Sequence, residues 1–220
     1  MSARPAALAT GIIACCLALV CFAAPTAAQE MRQPRVNYEY RLIEPQPVET
    51  GGKIEVVDFF WYGCPYCNAL QPALAAWDQR KPADVVLRRI PVILRDTWAP
   101  HARIFYTLEA LGEIERLHPR VYYGYHVEEL LMSKPDVMAE WAAKNGIDRQ
   151  KWLDAYSSPE VERKVQRARE LTRLYNVQGT PTLVVDGRYL TSGNMAETLH
   201  GVIPILEDLV RMARQQRTGK

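Results

Sequence analysis

Residues 56–77 read VVDFFWYGCPYCNALQPALAAW. The first five are apolar or aromatic apart from Asp58, a pattern that predicts a buried strand carrying one carboxyl where burial is expected. Gly63 ends the strand and Cys64 follows. Pro65 suits the first position of a helix, where its missing N–H would have had no intrahelical partner. Ala69, Leu70, Ala73, Leu74 and Trp77 then recur at helical spacing, so a helix packs one face inward. The helix is expected over 64–79, with Pro72 inside it as a kink. Cys64 therefore falls where a strand hands over to a helix, at the positive end of the helix dipole. A thiolate is favoured there, and the thiolate is the reactive form of cysteine.

The chain outside this stretch bounds the reading. It has 220 residues, is 48% apolar and carries a formal charge of +2. A sizeable core is possible, and no basic surface of the kind that binds nucleic acid is implied. Residues 6–24 contain one polar side chain, Thr10, and are followed by the small-residue run AAPTAAQ. This is the pattern of a secretory leader spanning 1–28, cleaved after Ala28. The rival readings are an uncleaved membrane anchor and lipidation at Cys15; the Pro-Thr-Ala-Ala tail and the apolar residues after Cys15 argue against them. Of five cysteines, Cys15, Cys16 and Cys21 leave with the leader, so Cys64 and Cys67 remain. Exported proteins ordinarily use cysteines to join distant segments. A pair three residues apart closes too small a loop to restrict the unfolded chain much, so its chemistry is the better reason for it.

The remaining elements follow in order. Residues 30–52 form an extended lead-in, with an edge strand at Tyr38, Tyr40 and Leu42. Residues 53–61 and 85–94 are core strands. Residues 95–175 turn helical, with helices over 100–112, 114–132, 135–144, 149–156 and 158–175. Asn145-Gly146 supplies a C-cap, and Asp148 and Ser158 supply N-caps. Strand pattern returns at 182–185 and 188–190 around Asp186-Gly187, a hairpin signal. The tail over 196–215 is amphipathic helix interrupted by Gly201 and Pro204. The domain reading is thus a first α/β part over 29–94, a helical insertion over 95–175 and a second α/β part over 176–220.

C-x-x-C has redox, zinc and haem readings beside a plain structural disulfide. Zinc wants four ligands; no second cysteine pair remains, and His101, His118, His126 and His200 show no ligand spacing. Haem attachment wants a histidine after the second cysteine, where Asn68 stands. The segment WYGCPYCNALQP, with Pro72 five residues after Cys67, resembles the thioredoxin superfamily. Gln178-Gly179-Thr180-Pro181-Thr182 resembles that superfamily's cis-proline loop, with Thr180 before Pro181. Asp58, six residues before Cys64, matches its buried acid, although an ion-paired surface acid would read the same. The leader and the helical block narrow the resemblance to the DsbA family of exported thiol oxidases. The fold implied is α/β, thioredoxin-like, with an inserted all-helical domain.

The resemblance implies a periplasmic enzyme that donates the Cys64–Cys67 disulfide to newly exported cysteine-containing proteins and needs no cofactor beyond that disulfide. It implies reoxidation by a membrane quinone-linked protein like DsbB, and the chain is expected to act as a monomer. Cys64, Cys67, Thr180, Pro181 and Asp58 are the expected catalytic group. Pro65, Tyr66 and Arg89 are expected to tune the redox pair, Arg89 as the cation beside Asp58, although a solvated arginine at a strand end would read the same. The family's better-known members carry His where this chain has Tyr66, a weaker and uncharged donor, so the strength of oxidation is open. Two other readings stay in view: a disulfide isomerase or reductase of the same superfamily, and a non-enzymatic peptide-binding chaperone. Trp61 and Tyr62 border the cysteines and are expected to line a substrate surface, while Trp98, Trp141 and Trp152 are expected in the core.

Overall fold

The computed structural model describes Met1 and residues 32–219. The expected leader and its cleavage after Ala28 lie, Met1 apart, outside these residues. Five strands form one sheet in the order β1-β5-β4-β2-β3. β2 (Ile54–Phe60) is central, parallel to β3 (Val85–Pro91) and antiparallel to β4 (Thr182–Val185). All seven of its residues are buried, as a strand covered on both faces requires. Alternation sends Val57 and Phe59 to one side and Ile54 and Val56 to the other, and each side has its own core.

The core that receives Val57 and Phe59 is completed by five helices that occupy the chain between β3 and β4. These are α2 (Ala99–Ala110), α3 (Ile114–His126), α4 (Pro135–Lys144), α5 (Arg149–Tyr156) and α6 (Pro159–Leu174). The other core is closed by α1 (Pro65–Arg80) and α7 (Val202–Thr218). Pro72 sits inside α1 on its exposed side, and Leu70, Leu74 and Trp77 are the buried stripe. Asp186 and Gly187 both have positive φ, 53° and 67°, and join β4 to β5 (Tyr189–Ser192) as a tight hairpin. That backbone is the one the Asp-Gly pair favours. β1 is only Arg41–Leu42, paired with β5 at the sheet edge.

Several boundaries differ from expectation. α3 stops at His126 rather than 132, because Glu129 turns at φ 53° and the Leu130 N–H folds back onto the Gly124 carbonyl. Gly124 makes room for that return, since a Cβ there would meet Leu130 at 3.1 Å. The second core strand ends at Pro91, before the expected 94. The tail forms a short 3-10 turn, Leu199–Gly201, before α7, and Pro204 falls in the first turn of α7, where it is tolerated. Among the described residues no helix is long and apolar enough to cross a membrane.

Candidate active site

β2 delivers Phe60 into the core, and the three residues after it make a tight corner. Gly63 has no room for a side chain, because a Cβ would lie 2.3 Å from the Trp61 ring. Trp61 stacks flat on Trp98, with ring centroids 3.9 Å apart and 3° between planes. Tyr62 turns the other way and is fully buried. Its hydroxyl lies 2.8 Å from His118 Nδ1, and its carbonyl accepts from His126 Nε2 at 2.8 Å. Burial, helped by the charge of Arg89, pushes the pKa of His118 down to about 3, so this ring is neutral at ordinary pH. Tyr62 is thus an anchor for the corner and not the expected substrate-facing residue. Trp61 is partly exposed. Of the three tryptophans expected in the core, Trp141 and Trp152 are there and Trp98 is half-buried against Trp61.

Cys64 is the N-cap of α1 and Pro65 its first residue. The Cys64 sulfur accepts from the Cys67 N–H at 3.4 Å, and as a thiol it donates to the Thr180 carbonyl at 3.3 Å. The Thr180–Pro181 bond is cis. The Cys64 thiol is held down at about 6. A hydrogen bond from the Cys67 side chain is the largest cause; burial opposes it, and the side chain of Thr180 and the backbone N–H groups of Cys67 and Tyr66 add to it. The helix mouth favours the same anionic form. Both sulfurs are buried, Cys64 at 6% and Cys67 at 3% exposure, but Cys67, one turn inside, is set the opposite way. Burial pushes its thiol well above the ordinary range, and the hydrogen bond and charge of Cys64 and the charge of Asp58 push it further.

Asp58 lies at the middle of β2, in register with Arg89 of β3 and Leu183 of β4, and is 5% exposed. Burial raises its carboxyl to about 7, against the pull of Arg89 and with a push from Cys64. A cavity of about 10 Å³, room for one water molecule, is lined by Asp58, Cys67, Gln71, Arg89, His118 and other residues. The structure therefore brings together Cys64, Cys67, Thr180, Pro181 and Asp58. Arg89 acts on Asp58 through its field alone, because its ion pairs are with Asp78 at 3.0 Å and Glu115 at 3.9 Å. Tyr66 also departs from expectation. Its side chain is 65% exposed, and only its backbone N–H reaches the Cys64 sulfur. His118, His126 and Tyr122, which enclose Tyr62, carried no local sequence signal. Among the described residues no group of three or more His, Cys, Asp or Glu side chains is placed to hold a metal ion.

This geometry has relatives. Residues 91–203 match the DSBA-like thioredoxin domain family. The thiol:disulfide interchange protein DsbA of Bordetella parapertussis is 36% identical over 205 residues, 93% of this chain and 96% of that protein. Its counterpart from Pseudomonas aeruginosa is 38% identical over 162 residues, 72% of this chain and 77% of that protein. The crystal structure of Pseudomonas aeruginosa DsbA superposes with a TM-score of 0.81 at 33% identity, covering 84% of this chain and 97% of that one. With its cysteine pair at the mouth of α1 and a helical block inserted in the sheet fold, the chain belongs to the DsbA family of thiol:disulfide oxidoreductases, which work through their own cysteine disulfide.

Proposed function

We propose that the chain oxidises newly exported proteins in the periplasm, giving up the Cys64–Cys67 disulfide. A client thiolate attacks the Cys64 sulfur. The Cys64–Cys67 bond breaks as the client–Cys64 bond forms, and Cys67 leaves with the electron pair. A sulfur as basic as Cys67 is a poor leaving group, so it needs a proton. Asp58, poised at about 7 on the same small cavity, is the donor within reach through one intervening water. A second client thiolate then attacks the client sulfur of the mixed disulfide, and Cys64 departs as a thiolate. Its pKa of about 6 makes it a good leaving group, which drives release. The client is oxidised by two electrons and the enzyme is left as a dithiol. Thr180 and Pro181 present backbone to the extended client beside Cys64, as an added strand would find it.

A membrane quinone-linked protein like DsbB would restore the disulfide, and the enzyme acts as a monomer. The leader over 1–28 supports the periplasmic assignment. The observation that carries the reading is the opposed setting of the two sulfurs, one held as a ready leaving group and the other buried beside an acid. The test is a single turnover of the oxidised enzyme with a reduced, unfolded cysteine-containing protein. Client disulfides should form with the wild type and be lost in Cys64→Ser, while Cys67→Ser charged with a client should hold it through Cys64. Faster action on insulin disulfides or scrambled proteins than on reduced clients would favour a reductase or isomerase. Binding without any exchange would favour a chaperone.

A further inference from the structure

A groove of about 310 Å³ runs beside the cis-proline loop, between Gln178, Gly179, Thr180 and Pro181 on one side and Asn194 and Met195 on the other. It lies beside the redox centre, because Thr180, one of its lining residues, has its carbonyl 3.3 Å from the Cys64 sulfur. Its walls are backbone and neutral side chains. Among the described residues that line it, Arg41 alone is ionisable.

Arg41 stands in β1 at the sheet edge, in register with Leu190 of β5, and is half-buried. Among the described residues no carboxylate lies within ion-pair distance of it. Its neighbours in sequence are treated differently. Arg32 pairs with Glu39 and Asp208, and Arg35 pairs with Glu39 at 3.5 Å and Glu197 at 3.3 Å. A partly desolvated guanidinium lacking a carboxylate has bonding capacity left over, and its planar fork suits a carboxylate better than any neutral partner. We propose that Arg41 is a specificity residue: it receives the Asp or Glu side chain of an extended client segment lying in the groove, so that acidic sequence close to the reactive cysteine speeds disulfide transfer. This rests on the reading of Cys64 as the attacked sulfur.

The test uses the oxidised full chain and short reduced dithiol peptides that differ at one position near the cysteine, carrying Glu, Gln or Lys, with that position moved along the peptide. A neighbouring charge also alters the peptide's own thiols, so each rate is divided by the same peptide's rate with oxidised glutathione. The wild type should favour Glu over Lys by about twofold to fivefold at low salt, the range of a partly exposed ion pair. The preference should fade at about 1 M salt, where the screening length falls to about 3 Å. Arg41→Lys should keep part of it, Arg41→Gln should remove it and Arg41→Glu should reverse it. Equal normalised rates in the wild type, a preference unaffected by salt, or one that survives both Arg41→Gln and Arg41→Glu would overturn the proposal. In those cases oxidation of the Gln peptide by the wild type but not by Cys64→Ser would leave the assignment of Cys64 standing. Oxidation by Cys64→Ser would remove that assignment as well.

Discussion

At the mouth of α1 the Cys64 sulfur receives the Cys67 N–H at 3.4 Å and meets the Thr180 loop, and its thiol titrates at about 6. One turn along, Cys67 is enclosed by the sheet and the helical block, and burial keeps it protonated far beyond the ordinary range. The two sulfurs belong to the same helix and differ by three positions. Their chemistry is set by which end of the first turn each occupies. The N-cap position receives the Cys67 side chain as a hydrogen-bond donor, then Thr180, backbone N–H groups and a favourable dipole; the inner position supplies apolar walls and a carboxyl. The difference divides the labour. On the proposed mechanism Cys64 is the sulfur that accepts attack and later leaves as an anion, and Cys67 is the one whose departure requires a proton.

The comparison breaks most severely if the two cysteines are exchanged in role. Cys64→Ser should reduce disulfide transfer by at least about 10³-fold, on the scale of removing a covalent nucleophile from a unit that works together. Cys67→Ser should instead leave a reactive thiol that forms stable mixed disulfides. Alkylation of the reduced wild type at pH 5–6, read by mass spectrometry, should label Cys64 first. Labelling of Cys67 first would reverse the assignment.

The next effect concerns the acid under Cys67. Asp58→Asn keeps the shape and removes the proton. The first exchange step, followed by stopped flow, should slow by about 10²-fold, the low end of acid–base catalysis. The wild-type rate, corrected for client ionisation, should fall with rising pH as Asp58 loses its proton, in the oxidised form somewhat below the value of about 7 that holds beside the Cys64 thiolate. That dependence should vanish in the variant. A retained dependence would mean that another group supplies the proton.

What the sequence made legible was local. α4 (Pro135–Lys144), α5 (Arg149–Tyr156) and β4 (Thr182–Val185) match expectation at both ends, because their limits are written beside them. The Asp148 side chain caps α5 through the Lys151 N–H, and the Ser158 side chain caps α6 through the Val161 N–H. The two cysteines, Asp58 and the Thr180–Pro181 pair could be named because two motifs bracket them. The supports of the corner could not. Tyr62 meets His118 and His126 across 56 and 64 positions of sequence, and a tyrosine beside a cysteine reads equally as surface or core until that partner is known. Arg89 was legible in part: its place opposite Asp58 follows from strand register and its charge acts on that acid, but its ion pair with Asp78 depends on where α1 lies over the sheet.

The difference between the sulfurs should also appear in stability, at a smaller scale. Folding lowers the Cys64 thiol from 9.0 to about 6, and only the reduced form has this thiolate. Because the folded value is the lower one, the stabilisation is complete above the unfolded value and is lost as pH falls through about 6. The full depression corresponds to roughly 4 kcal/mol, but part of it falls above pH 8 and the surrounding dielectric weakens the rest. Between pH 5 and pH 8 the reduced form should therefore gain about 1–2 kcal/mol on the oxidised form. The small disulfide loop opposes it with about 2 kcal/mol at every pH. Asp58 titrates in both forms, so most of its effect cancels. Urea melts of both forms should show the oxidised protein ahead at pH 5 and the two near parity at pH 8. A difference that does not change with pH would mean that Cys64 carries no stabilised thiolate.

The smallest expected effect is at Tyr66, between the two sulfurs. A histidine side chain that donated to the thiolate would make the pair more oxidising, and a hydrogen bond to a charged group contributes about 1.5–3 kcal/mol. For this two-electron couple that corresponds to about 30–60 mV. Here the side chain at position 66 is 65% exposed, and the backbone N–H is the group that reaches the sulfur. Any side chain leaves that N–H in place, and a solvated imidazole interacts through a screened charge only. Tyr66→His should thus raise the potential by less than about 30 mV, measured against glutathione buffers, and Tyr66→Phe should leave it unchanged. A rise above about 60 mV in Tyr66→His would show that the side chain turns onto Cys64, and the low pKa of that thiol would then owe less to the helix mouth than the comparison of the two sulfurs requires.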